Sequence, residues 1–552
     1  MTETIVSVIF LCFIDFFIIL MYNNIDKLCY IRNIFMDTAK KTIKTAGFMI
    51  IATLLAKVMG MYRDILFASL YGTGAEAVAY STASRIPLLF FDIALGSAIS
   101  SSFIPVFNEF LQKGEKEKAT EFSNSFLNII FLITFVIFTI GIFFRGIIVN
   151  LLGSGLAVDV KALAESLVVI MLPSMIFTAL AYSLTGVLQS YGEFNAPAAI
   201  SLVSNGIMVG YLLIAKDFLG IHGVSVAMLV GWAFQLIVLI PSLIKKKYSY
   251  KPYINFKNPG LKKALFLAVP ILISSWVQPI NTMVNMFLAS YIDGGQAVPA
   301  LDYANKLYII FVGVLTYAVS NLIFPSISRL ATDKEKESEF VGVLKTAVGS
   351  VLFLLIPIML VFLTKAEGII RVVYERGAFG KEQTILTSTA LFWYSLGMLG
   401  FGLQEMLNKA FYAEQNGKTP MTVSVVGIIL NVCLSFALVR GFSLGISGLP
   451  MAASVAANFI AVCLAVILNK KHKIFDKEFL KNIFKMIFCG IAMALVILGV
   501  SRVTNFDSTF LGKLLDVCVP SALGGIVYII LSFLFKLNET KSIIDILLKR
   551  GR

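Results

Sequence analysis

The chain has 552 residues, of which 58% are hydrophobic and only 14% charged, with a mean hydropathy of +0.87. Its apolar runs are continuous and near the ~20 residues that cross ~30 Å of hydrocarbon at 1.5 Å per residue, which excludes a porin-type barrel and implies an all-α polytopic membrane protein. The net charge of +14 does not point to nucleic acid, because the lysines gather in short connectors where anionic headgroups and the cytoplasmic bias of basic residues account for them.

In chain order, the first apolar run is Ile5 to Met21. It has no basic region before it and no small-residue cleavage site, so it does not read as a signal peptide. It is either an extra span or the product of an upstream start, within an N-terminal extension of residues 1–45. About fourteen spans follow by the length criterion, near 47–71, 77–101, 123–144, 164–187, 195–215, 223–244, 262–290, 299–325, 340–363, 384–410, 420–440, 446–469, 483–501 and 514–535.

Alternate connectors are strongly basic, including KGEKEK (113–118), KKKYSYKPYINFKNPGLKK (245–263) and NKKHK (469–473). This bias places them, the segment before the first core span and the C-terminal tail in the cytoplasm. On the outer side, KAEGIIRVVYERGAFGKEQ (365–383) carries basic residues and reads as a short surface helix.

The sequence repeats itself. FASLYGTGAEAV (67–78) resembles FLASYIDGGQAV (287–298), ASR (83–85) matches ANK (304–306), and GIHGVSVA (220–227) resembles GISGLPMA (445–452). Six spans per repeat is an even number, so both units share one orientation and are related by an axis along the membrane normal. The expected architecture is two parallel-repeat six-helix lobes around a central cavity plus two C-terminal helices. The lobes are residues 46–246 (spans 1–6) and 247–472 (spans 7–12), followed by spans 13 and 14 and a tail in 473–552.

Two histidines, His222 and His472, leave no zinc-hydrolase or histidine-based catalytic set. The six cysteines, Cys12, Cys29, Cys433, Cys463, Cys489 and Cys518, form no CxxC pair and read as small apolar side chains. No enzyme is expected, and no metal site.

The chemistry sits in charges placed inside spans. Arg63 lies nine residues before Gly72, Arg85 about nine residues into the second span, and Lys306 eight residues beyond Val298. All three therefore reach about 12 Å below the outer boundary, with Lys57 about 9 Å deeper. An intramembrane cation costs about 2.5–3.5 kcal/mol on insertion scales, so it faces a cavity or a partner. One reading pairs each cation with a neighbouring acid: Asp302 with Lys306, Glu405 with Lys409, Arg85 with Asp92. Arg145 reads as snorkelling to the interface. The other reading, favoured for the group, converges Arg63, Arg85, Lys306 and Lys57 on one hydrated cationic cavity suited to an anionic cargo such as phosphate. Asp64, Asp92, Ser100 and Ser101 are candidates for gating or polar lining, and Pro87 with Ser100, Ser101 and Ser102 permits a bend in the second helix.

RIPLLFFDIALGSAISSSFIPVF (85–107), VYERGAF (373–379) and NKAFYAEQNGKTP (408–420) resemble the signature regions of the MurJ/MviN lipid II flippases, within the multidrug/oligosaccharidyl-lipid/polysaccharide exporter superfamily. The likeness runs from about residue 45 to the end and does not cover the first 35 or so residues. It implies a carrier that moves lipid II, the undecaprenyl-pyrophosphate-linked disaccharide-pentapeptide, from the inner to the outer leaflet of a bacterial cytoplasmic membrane by alternating access. Its partners would be lipid II, membrane lipids and cell-wall synthesis proteins, with no nucleic acid and no cofactor beyond coupling to Na+ or the membrane potential. The family's cavity arginines carry over to Arg63 and, as lysines, to Lys57 and Lys306, and Arg85 matches its basic residue before the Ile/Leu-Pro pair. By the same analogy Asn281 and Asn285 are candidate sodium ligands, and spans 13 and 14 form a groove for the lipid tail. The sequence departs from the family at Phe90, Phe91 and Asp92, where arginines are usual, and near Gly96, where an acid is. Two alternatives stay open: a flippase for another polyprenyl-linked glycan, and a drug/cation antiporter of the same superfamily.

Overall fold

A computed structural model of the chain describes residues 36–94, 102–331, 334–504, 506 and 509–540. The expectations for residues 1–35, including Ile5 to Met21, lie outside the described residues, as do Ser100 and Ser101. Long apolar runs with no water to bond their backbone must close their hydrogen bonds internally, and the described chain is accordingly almost all helix. Its sole β feature among the described residues is an isolated bridge between Arg376 and Phe379.

The earlier helices are α1 (Met36–Tyr71), α2 (Ala75–Ala94), α3 (Ile104–Gln112), α4 (Lys116–Phe143), α5 (Arg145–Leu152), α6 (Val158–Met171), α7 (Ser174–Ser190), α8 (Asn195–Ile214) and α9 (Lys216–Lys245). Then come α10 (Pro259–Ser275), α11 (Val277–Ala289), α12 (Ala297–Leu330), α13 (Glu337–Tyr374), α14 (Lys381–Ser395), α15 (Met398–Ala413), α16 (Lys418–Phe436) and α17 (Gly448–His472). The last pair is α18 (Lys477–Val503) and α19 (Phe510–Leu534).

Among the described residues, ten helical stretches are long and apolar enough to cross a membrane, eleven if α14 and α15, bent by 44°, count as one. The expected spans 47–71, 77–101 and 262–290 are not among them, although the described residues of each are largely helical (Met36–Tyr71, Ala75–Ala94, and Pro259–Ser275 with Val277–Ala289). Two carry the charges of interest, Lys57, Arg63 and Asp64 on α1, Arg85 and Asp92 on α2. The third is broken at Trp276, whose indole Nε1 donates to Ile93 O at 2.7 Å. The surface helix expected after residue 365 is the final stretch of α13, set off by a kink at Lys365 (φ −125°, ψ 22°).

The chain folds as two compact units. One joins the described residues 36–51 with those from Lys477 to residue 540, where α18 and α19 pack on each other. The other, Ala52–Asp476, holds every described candidate site residue. Within it α2 packs on α6 and α7, α9 on α6, α7 and α8, and α4 on α7. Later in the chain α12 to α17 pack on one another, and α11 lies against α16. The earlier and later helix groups meet where α12 contacts α2 and α11 contacts α5 and α2.

The largest apolar cluster of this unit draws on both groups: Phe67, Val78 and Leu156 lie with Leu288, Val298, Tyr303, Phe379 and Leu449. A second cluster of stacked rings, Phe103, Phe107, Phe122 and Phe126, joins α3 to α4 and takes in Leu261 and Ala264 of α10. Asn258 caps α10, accepting from Gly260 N at 2.9 Å, with Pro259 fixing the first turn.

Candidate functional site

Three of the four cations singled out from the sequence come together. Arg63 on α1 directs Nε and Nη2 onto Asp64 Oδ1 at 3.0 and 2.8 Å, while Nη1 donates to Asn205 Oδ1 at 2.9 Å. Asn205 is oriented in turn by donating from Nδ2 to Ala56 O at 3.2 Å. The second oxygen of Asp64 is held by Lys306 Nζ of α12 at 3.1 Å. Arg85 on α2 donates to Asp302, also on α12, and lies within electrostatic reach of Asp64.

Both ion pairs therefore cross between the helix groups, and they do so reciprocally. Asp64 of the earlier group takes a cation from the later one, and Asp302 of the later group takes a cation from the earlier one. The local pairing that helix spacing suggests does not occur: Lys306 leaves Asp302 for Asp64, and Arg85 leaves Asp92 for Asp302. The physical reason is that facing helices bring the opposite charge closer than the next turn does, and a charge excluded from water takes the partner that can reach it. Glu405 and Lys409 do pair locally, at 3.6 Å. Arg145, the first residue of α5, donates to Ile142 O at the end of α4 at 3.2 Å.

The side chains of Arg63, Arg85 and Lys306 remain 26%, 32% and 39% exposed, whereas Asp64 is 12% exposed. Three cations against two carboxylates leave a positive excess that an incoming anion could meet. An arginine fork suits phosphate oxygens bidentately, so exchange of carboxylate for phosphate is the chemistry this arrangement permits. Lys57 is exposed and forms no ion pair among the described residues. Asp92 is exposed, away from Arg85's hydrogen bonds.

Sequence reasoning missed Asn205 and a set of tyrosines. Tyr80, Tyr303, Tyr374 and Tyr394 all lie within electrostatic reach of the ion pairs. Tyr303 and Tyr374 are buried with ring centroids 5.1 Å apart, and the Tyr303 hydroxyl donates to Gly72 O at 3.0 Å. The available signal was four phenols placed within apolar helices, where a buried hydroxyl needs a partner.

The candidate sodium residues lie elsewhere, on α11. Asn285 Oδ1 accepts from Ser435 at 3.4 Å, and Ser435 also donates to Asn431 Oδ1 at 3.0 Å. Asn281 is buried and its Oδ1 has no hydrogen-bond partner among the described residues.

Beyond the cations, the end of the unit bearing Gly72 is closed by backbone against backbone. Ala378 N donates to Ser69 O at 2.8 Å. A Cβ on Gly377 (φ +57°) would stand 2.2 Å from Ser69 O, and one on Gly72 (φ +55°) 2.6 Å from Ala378 O. At the repeat-related end of α11, Gly155 N donates to Ser290 Oγ at 3.0 Å, with 2.6 Å between a Cβ on Gly155 and Ser290 O. Each helix group thus docks a helix end into a loop of the other, and only glycine allows the approach.

A family model described as lipid II flippase MurJ matches residues 67–515. The lipid II flippase MurJ of Thermosipho africanus is 30% identical over 489 residues, covering 88% of this chain and 95% of its own length. A probable lipid II flippase MurJ of Rhizobium tropici is 28% identical over 516 residues, covering 90% and 94%. Among solved structures, a lipid II flippase MurJ in an inward closed conformation superimposes with a TM-score of 0.75 at 27% identity, over 88% of this chain and 98% of that one. An inward-facing multidrug MATE transporter of the MOP superfamily shares the fold, with a TM-score of 0.63 at 14% identity over 76% and 94% of the two chains.

Proposed function

The chain belongs to the lipid II flippase MurJ family, and from that premise we propose that it carries lipid II across the bacterial cytoplasmic membrane by alternating access. The observation that carries the mechanism is the pair of reciprocal contacts, Asp64 with Lys306 and Arg85 with Asp302, joining the two helix groups. In this conformation Arg63, Arg85 and Lys306 are occupied by the chain's own carboxylates. The dianionic pyrophosphate of the cargo competes for them, and each exchange removes a tie between the groups. Ligand binding and separation of the groups are then one event, which is how differential affinity drives a two-state change.

The closed Gly72 end is the external face in this reading, so the cations are reached from the cytoplasm. The sugar and peptide pass through the cavity while the polyprenyl tail stays in the bilayer. An inside-negative potential draws the emptied cationic cavity back inward, worth about 2.3 kcal/mol per charge per 100 mV. Lys57, on the cytoplasmic side of Arg63, is the first cation that an entering headgroup meets. Sodium suits neutral oxygen donors, and Asn281, with its orphaned Oδ1, and Asn285 would hold it. A bound cation there would add positive charge and fix the ends of α11 and α16.

A drug/cation antiporter needs carboxylates free to take a cation, and Asp64 and Asp302 are both engaged by internal bases. A flippase for a sibling glycan keeps the same pyrophosphate chemistry and differs only in the sugar. Native mass spectrometry of the purified protein with lipid II and with polyprenyl-pyrophosphate sugars lacking the pentapeptide separates them. Preferential retention of lipid II is expected, and equal retention would favour the broader carrier.

A further inference from the structure

We propose that the connector between α9 and α10, residues 246–258 with the lysines that flank it, is a built docking strap for anionic phospholipid headgroups. The inference stands apart from the identity of the cargo.

The strap is held against α4 through its backbone. Asn124 Nδ2 donates to Ser249 O at 3.1 Å, and Asn128 Nδ2 to Lys251 O at 3.2 Å and Tyr253 O at 3.0 Å. Asn255 N donates to Ser125 Oγ at 3.0 Å. The Tyr248 hydroxyl lies 2.8 Å from Ser123 Oγ and donates to Asn124 Oδ1 at 3.0 Å, while the Tyr250 hydroxyl donates to Asn128 Oδ1 at 2.6 Å. Polar groups of an irregular segment at a membrane boundary need such partners, and α4 supplies them from one face.

With the backbone satisfied inward, the side chains left outward are of two kinds. Tyr250, Tyr253 and Phe256 are 55%, 39% and 68% exposed. Between residues 245 and 263 there are seven lysines and no aspartate or glutamate. Lys246 is used on Tyr191 O and Lys263 on Glu109, but Lys247, Lys251 and Lys257 make no side-chain hydrogen bond or ion pair among the described residues.

A basic strap that directly follows the apolar helix α9, itself long enough to cross a membrane, lies at the boundary of hydrocarbon and water. Aromatic rings alternating with unpaired lysines match that layer: rings enter the headgroup region while ammonium groups meet anionic lipid. Charge complementarity selects an acidic phospholipid over a zwitterionic one. The rigid backbone makes this a site with fixed spacing, unlike a flexible basic tail.

The test uses the full chain with Tyr253→Trp, reconstituted in nanodiscs carrying brominated phosphatidylglycerol or brominated phosphatidylcholine. The signal of the unsubstituted protein, from Trp232, Trp276 and Trp393, is subtracted. Quenching at position 253 is expected to be about twofold stronger with the anionic lipid, and to lose that preference in about 1 M salt. The same loss is expected when Lys247, Lys251 and Lys257 are all replaced by Gln. Equal quenching by the two lipids, or a preference that survives both salt and the triple substitution, overturns the proposal.

Discussion

Arg85 and Asp302 are ion-paired across 217 positions of sequence, one from each helix group, and the neighbouring pair Asp64 and Lys306 runs the opposite way. On the proposed function, these carboxylates compete with the cargo's pyrophosphate for the same cations. The consequence is an asymmetry between removing the base and removing the acid.

If Arg85 holds the cargo as proposed, Arg85→Gln deletes a ligand, whereas Asp302→Asn deletes that ligand's competitor. Lipid II affinity is expected to fall at least tenfold in Arg85→Gln and to rise severalfold in Asp302→Asn, the ~1 kcal/mol scale of a solvent-accessible ion pair. Titration of both variants with lipid II checks this. Equal loss in the two variants would make Asp302 a ligand in its own right.

Asp64 holds two cations and is the most enclosed charged group of the two ion pairs. Asp64→Asn leaves Arg63 and Lys306 facing each other without a shared counter-charge, at an expected cost of about 3–5 kcal/mol. Thermal unfolding of the purified variant should show a large fall in Tm. The double variant Asp64→Asn with Lys306→Met is expected to recover much of it, because the like-charge conflict is gone.

Gly377→Ala drives a methyl group into Ser69 O and should pry open the Gly72 end. Gly294 offers the control: its φ is also positive, +62°, yet nothing among the described residues lies within 4 Å of a Cβ there. Labelling of a cysteine at Thr73 by an impermeant reagent is expected to increase severalfold in Gly377→Ala and to stay near the parent level in Gly294→Ala. Backbone strain alone, about 1 kcal/mol or more in each, would affect both alike.

Glu109 sits between Lys113 and Lys263, whose hydrogen bonds and charges hold its carboxyl down at about 2. A lowered carboxylate contributes above its ordinary pKa and loses that contribution only as pH falls through the lowered value. The tie it makes between α3 and α10 is therefore intact from pH 8 down to 5. The Tm difference between the parent and Glu109→Gln is expected to be constant across that range and to close only below about pH 4. A difference that already closes between pH 7 and 5 would contradict this.

The helices were legible in the sequence because hydrocarbon imposes one length and one periodicity on every span. The motif VYERGAF stood out, as did the like placement of Arg63, Arg85 and Lys306 along their helices, since that placement is a count of residues. Partner choice was not legible. The sequence shows Asp302 one turn from Lys306, but which faces of α2 and α12 meet is decided by packing across more than two hundred residues. Asn205 and the tyrosines escaped for the same reason, being ordinary residues in apolar helices until the fold sets them beside a charge. The dyad of glycine-lined contacts at Ser69 and Ser290 was half visible, in the repeat of FASLYGTG and FLASYIDGG, without the loops that receive them.

The most direct measurement is lipid II translocation in proteoliposomes by Arg63→Glu, Arg85→Glu and Lys306→Glu variants present at normal abundance, with Lys306→Arg as the charge-keeping control. All three reversals are expected to abolish translocation while Lys306→Arg retains it. Translocation that persists in any of the three reversals would contradict the claim that these cations, drawn from both helix groups, hold the pyrophosphate.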